Sequence, residues 1–106
     1  MYAVSRHPAV VDDMASIYAY ISDSDTAADR VLDCIERAIQ TIAEYPRIGM
    51  RFETDVPKLG GVRMFTVPRY RQYIVFYRFE QATVRILYVL HGARDLVRTI
   101  ESDVRD

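Results

Sequence analysis

Apolar residues recur along this chain in two rhythms. Val10, Met14, Ile17 and Ile21 follow one another at intervals of three and four, flanked by Val11 and Tyr18. That spacing predicts an amphipathic helix ending near Ile21, with His7-Pro8 before it and Asp12 and Asp13 at its positive end. Ser22-Asp23-Ser24-Asp25 reads as a polar turn, with Asp25 or Thr26 capping a second helix. The apolar face of that helix is Ala28, Val31, Leu32, Ile35, Ile39 and Ile42, its polar face carries Asp29, Asp33, Glu36, Arg37 and Gln40, and Tyr45-Pro46 stops it. A short polar link between two such helices predicts an antiparallel hairpin. From Pro46 to Gly60 no period holds, which predicts a long loop.

Beyond Gly60 the period shortens. Val62–Val67, Tyr73–Phe79 and Val84–Leu90 are rich in β-branched and aromatic residues, and Tyr2–Ser5 at the start of the chain is a further short strand candidate. Pro68-Arg69-Tyr70-Arg71 and Glu80-Gln81-Ala82 separate the first three, so a three-stranded antiparallel meander follows the hairpin. After His91-Gly92, the spacing of Leu96, Val97 and Ile100 allows a short terminal helix or a frayed tail. The expected fold is α+β, one domain over residues 1–106, with the helical hairpin covering one face of the sheet.

Composition narrows the class. Half of the 106 residues are hydrophobic and the mean hydropathy is -0.09, enough for a packed core. No apolar run approaches the ~20 residues of a membrane span. The N-terminus lacks the pattern of a secretory signal, and one cysteine, Cys34, excludes an internal disulfide, so a reducing cytoplasm is the expected compartment. Cys34 lies beside the apolar face of the second helix and reads as a buried thiol. Residues 1–60 hold six Lys/Arg against ten Asp/Glu, net -4, while residues 61–106 hold eight against five, net +3. Thirteen of the fourteen basic residues are arginine, the side chain suited to forked contacts with carboxylate or phosphate.

Nucleotide-binding glycine loops, nucleophile elbows and metalloprotease motifs are absent, and two histidines with one cysteine make a transition-metal site improbable. Neither a cofactor nor a metal is expected. What remains is a group of Arg, Tyr and His on and around the meander: Arg63, Arg69, Tyr70, Arg71, Tyr73, Tyr77, Arg78, Arg85, Tyr88, His91 and Arg94. Strand alternation puts Arg63, Phe65 and Val67 on one face, Ile74, Phe76 and Arg78 on one, and Arg85, Leu87, Val89 and His91 on one. Such residues suit metal-free RNA cleavage, a protein interface, or the solvated rim of a core.

The order of several strings resembles the RelE/ParE superfamily of type II toxins. They are HPAVVDDMASIYAYI, AADRVLDCIERAIQTIAEYPRIGMR, GGVRMFTV, YIVFYRF and VRILYVLHGARDL, and together they cover nearly the whole chain. The resemblance implies a helical hairpin packed on an antiparallel sheet, a cognate antitoxin as partner, and one of two activities. A RelE-like chain would cleave mRNA in the ribosome, and Arg63, Arg78, Arg85, Tyr88 and His91 would be its catalytic residues. A ParE-like chain would have no catalytic residues and would poison DNA gyrase by binding. His91 is followed by Gly92 rather than tyrosine, and Lys58 is the single lysine, so the strings lie closer to ParE. A relic that binds antitoxin without toxicity is the third possibility.

On the ParE-like reading, His91, Arg94, Asp95 and Leu96 are expected to meet the target. The antitoxin is expected on Arg63, Arg78 and Arg85, with apolar anchors at Ile17, Ile21, Val31 and Ile35. Neither a membrane nor a specific nucleic-acid sequence is expected as a partner.

Overall fold

The computed structural model describes residues 1–21, 25–92, 100 and 102–106. Its elements are β1 (Ala3–Arg6), α1 (Val10–Tyr20), α2 (Asp25–Glu44), β2 (Met50–Arg51), a 3-10 turn (Pro57–Leu59), β3 (Arg63–Thr66), β4 (Tyr73–Glu80) and β5 (Thr83–His91). The five strands form one sheet in the order β1-β5-β4-β3-β2. The α+β expectation is met, and both helices begin and end close to where the periodicity placed them. The polar turn before α2 and the bulk of the expected terminal helix lie outside the described residues.

Apolar spacing explains the first layer. Val10 and Ile17 of α1, and Val31, Ile35, Ala38, Ile39 and Ile42 of α2, pack against Val67, Tyr73, Val75, Tyr77, Val84, Ile86 and Val89 of the sheet. The start of α1 lacks a side-chain cap, but His7 Nδ1 accepts the Ala9 N–H at 3.0 Å. That bond satisfies one donor at the helix start, and Asp12 and Asp13 place negative charge at the positive end of the helix dipole.

Four features differ from the sequence reading. β1 is an edge strand running parallel to β5, while the two helices carry the chain from β1 across the sheet to β2 at the opposite edge. The loop after α2 contains β2, two residues paired with β3 at Met50↔Met64 and Arg51↔Arg63. Two residues carry no period, so nothing in the pattern marks them. The far face of the sheet is also covered: Phe76, Leu87 and Tyr88 pack with Leu59, Val62 and Ile100, joined by Phe52, Val56 and Val104. The 3-10 turn, the loop around it and the chain end thus make a third layer.

The fourth difference is a bulge. Phe76 pairs with Tyr88 and Tyr77 with Ile86, which leaves Leu87 without a partner. Alternation therefore breaks inside β5. Arg85 and Leu87 face the third layer together with Tyr88, whereas Val89 and His91 turn toward the helices, so those four residues do not share one face. The assignments made for β3 and β4 hold.

Candidate functional site

Arg63, Arg78 and Arg85 of the meander are the obvious place to look for chemistry, and each is engaged within the chain. Arg63, on the helix face, donates to the Gly49 carbonyl at 2.8 Å and the Arg47 carbonyl at 3.4 Å. Beside it the fully buried Tyr77 hydroxyl donates to the Pro46 carbonyl (2.7 Å) and accepts the Gly49 N–H (2.9 Å). The two side chains clamp the turn that follows α2. A Cβ on Gly49 would lie 2.7 Å from the Tyr77 hydroxyl and 3.0 Å from the Met64 carbonyl, so the turn needs glycine there. Burial pushes the Tyr77 hydroxyl above its ordinary pKa, against the lowering effect of Gly49 and Arg63.

Arg78 and Arg85 are direct cross-strand partners on the opposite face, a like-charge pairing that is unfavourable unless each finds acceptors. Both do. Arg78 donates to the Lys58 and Gly60 carbonyls, and its Nε lies 3.3 Å from the Glu80 carboxylate without forming a hydrogen bond. Arg85 donates to Ser5 Oγ and to the Asp106 carbonyl. The Tyr88 hydroxyl, pushed up by burial, accepts the Arg105 N–H at 2.7 Å and donates to the Asp103 carbonyl. Arg63 and His91 are therefore separated by the sheet from Arg78, Arg85 and Tyr88, so these five do not gather around one point.

His91, half-buried at the end of β5, packs edge-on against Tyr73 at 5.3 Å and lies 6.5 Å from the ring of Tyr20. Arg94, Asp95 and Leu96 lie outside the described residues. Of the expected antitoxin anchors, Val31 and Ile17 are only 5% and 6% exposed and Ile35 is fully buried, so these three belong to the core. Ile21 is half-buried against the same core.

The residues missed in the sequence are an ion pair and a groove. Arg105 forks onto Asp13 at 2.5 and 3.0 Å, with both side chains almost entirely buried. β1 ends at Arg6, so the next stretch of β5 has no strand beside it. There Arg105 donates to the Leu87 carbonyl (3.0 Å) and Asp13 accepts the Val89 N–H (3.0 Å). The pair stands in for the missing strand. Burial by itself would lower the Arg105 pKa, but Asp13 and Asp103 outweigh it and hold the guanidinium above its ordinary value. Acidic residues near a helix start are commonplace, and 92 positions separate the two partners, so the sequence carries no signal of this pair.

The groove, of about 470 Å³, lies between Tyr2 and the turn Glu44-Tyr45-Pro46-Arg47-Ile48. Tyr2 packs edge-on against Phe79 at 5.0 Å, and Arg47 sits over the same ring at 5.6 Å. Met1, Tyr2, Tyr45, Ile48 and Met50 in and beside it are all exposed large apolar side chains. Among the described residues no group of His, Cys, Asp and Glu is placed to hold a metal ion. No helix among them is long and apolar enough to cross a membrane.

Residues 4–96 match the family model of the ParE toxin of the type II toxin–antitoxin system parDE. The chain belongs to the ParE toxin family. A solved structure of similar fold, described as a chromosomal ParDE toxin–antitoxin system from P. aeruginosa, superposes with a TM-score of 0.69 at 18% identity, over 86% of this chain and 96% of that one. No curated protein sequence matches. Within a ParE frame the turn YPRIG and the strand string FYR have a physical connection, since Tyr77 of the second clamps Pro46 and Gly49 of the first.

Proposed function

We propose that this ParE toxin arrests growth by binding DNA gyrase so that cleaved DNA persists, and that a cognate antitoxin keeps it silent. The observation that supports binding over RNA cleavage is the engagement of Arg63, Arg78, Arg85 and Tyr88 within the chain, on two opposite faces of the sheet. Metal-free cleavage of RNA needs a base, an acid and a free cation around one phosphate. For the antitoxin, the groove at Tyr2, Tyr45 and Ile48 replaces the buried Ile17, Val31 and Ile35 as the seat of apolar anchors. Arg47, exposed in its lining, and Arg51, exposed on the neighbouring strand β2, suit the carboxylates of an acidic segment that orders as it docks.

The test compares two reactions with one preparation. Purified toxin is expected to block supercoiling by gyrase and accumulate cleaved DNA while leaving mRNA intact on ribosomes. Addition of the antitoxin is expected to restore supercoiling. Ribosome-dependent mRNA cleavage with gyrase unaffected would overturn the reading in favour of a RelE-like nuclease.

A further inference from the structure

Among the described residues, three other than glycine hold a positive φ: Arg69 (73°), Gln81 (53°) and Ala82 (60°). The last two close the β4–β5 hairpin. Arg69 sits at the tip of the other hairpin, between β3 and β4. There the Tyr70 N–H bonds the Val67 carbonyl at 3.2 Å, with Pro68 and Arg69 as the two central residues. Proline followed by a positive φ is the pattern of a type II turn, whose third position favours glycine. Arginine is a costly choice there on backbone grounds, and strain held at an exposed position points to a use for the side chain.

The surroundings suit a contact surface. Arg69 and Arg71 are both exposed, and among the described residues neither guanidinium has a hydrogen bond or ion pair. Arg6, Arg63, Arg78, Arg85 and Arg105 are bonded within the chain, and Arg30, Arg37 and Arg51 are exposed like the tip pair, but of all these described arginines only Arg69 stands on strained backbone. The tip that carries Arg69 and Arg71 is rigid. Val67 N–H bonds the Tyr73 carbonyl (2.9 Å), Tyr73 N–H the Tyr70 carbonyl (3.0 Å), and Gly92 N–H the Gln72 carbonyl (2.5 Å). The half-buried Tyr70 packs on the core. Little freedom is left to lose on binding. His91 pairs with Tyr73 at the same end of the sheet, and Tyr20 next to it is 65% exposed. Arginine and tyrosine are among the residues enriched at binding hot spots, and this end of the sheet exposes both.

We infer that the β3–β4 hairpin tip, with Arg69 and Arg71 flanked by Tyr20, is the surface through which this toxin engages its target, by forked contacts to carboxylates on an acidic protein patch. The inference rests on the toxin reading above and assigns the target surface to the end of β4 opposite the groove. A protein patch is favoured over nucleic-acid phosphate because the tip offers two guanidiniums in a chain of net charge -1, too few for the extended basic face that holds a polyanion.

The variants Arg69→Gly and Arg71→Ala test it. Arg69→Gly relieves the turn and is expected to raise Tm by a few degrees, yet to weaken gyrase inhibition and growth arrest roughly tenfold. Arg71→Ala is expected to leave Tm unchanged with a similar loss, and antitoxin affinity is expected to stay within about twofold for both. A stabilised variant that loses potency cannot be explained by misfolding. Equal potency of both variants and wild type would overturn the inference, as would a loss of antitoxin affinity in place of potency. Binding of DNA alone by wild type, lost in the variants, would overturn the carboxylate assignment in favour of phosphate. If wild type leaves gyrase untouched, the gyrase reading fails separately. Growth arrest then judges the hairpin, its loss with antitoxin binding intact supporting the surface and its persistence overturning it.

Discussion

Replacing Arg105 by alanine tests the buried pair that closes the edge of β5. The variant leaves the Asp13 carboxylate nearly buried without its counter-charge, and the Leu87 carbonyl loses its donor. Breaking such a pair from one side costs about 3–5 kcal/mol. Asp13 keeps the Val89 N–H, so the lower end applies, roughly 3 kcal/mol. For a chain of 106 residues that corresponds to a fall in Tm of roughly 12–24 °C. Asp13→Ala is expected to cost about the same, because it strands the guanidinium and frees the Val89 N–H. The double variant removes both charges at once and is expected to cost only about 3–4 kcal/mol, a coupling of roughly 2–3 kcal/mol. It does not return to wild-type stability, as an isolated buried pair replaced by apolar groups often does, because two backbone groups of β5 remain unpaired. Urea denaturation of the four proteins measures the cycle. Additive single costs, with coupling below about 0.5 kcal/mol, would refute the pair as the device that closes this edge.

Three further outcomes are expected. Tyr77→Phe removes both bonds that hold Pro46 and Gly49 and is expected to cost about 1–3 kcal/mol, while Gly49→Ala forces the same turn apart and costs at least as much; urea midpoints check both, and an unchanged midpoint would dismiss the clamp. In the two-residue β4–β5 loop, Gln81 and Ala82 hold the left-handed backbone that Asn-Gly prefers, so Gln81→Asn with Ala82→Gly is expected to stabilise by roughly 1 kcal/mol, read as a rise in Tm. Folding holds the Tyr77 and Tyr88 hydroxyls above their ordinary pKa of 10.0, so their contribution is complete below that pH and is lost as pH rises through the folded values. The urea midpoint is expected to fall above pH 10, and less steeply in Tyr77→Phe; a flat profile would contradict the sign.

Hydrophobic periodicity alone determined the helical hairpin, the meander strands and the inward face of each helix. Those features follow from which side chains leave water, and that is written locally at periods of 3.6 and 2. The family too was legible, since its strings are local. Packing decided the rest. The placement of β1 beside β5 pairs the first and last strands of the chain, and β2 lies where Tyr77 and Arg63 hold a turn against β3. The bulge at Leu87 shifted half of β5 to the other face, which no alternation rule foresees. Candidate residues fared worse than elements for the same reason. An arginine in a sequence is a charge with five donors, and whether it is spent on a carbonyl inside the chain or offered to a partner is settled only when distant backbone arrives beside it. Arg63, Arg78 and Arg85 met such carbonyls or hydroxyls, Arg105 met Asp13 from the far end of the chain, and among the described residues Arg69 and Arg71, exposed on a hairpin tip, met neither.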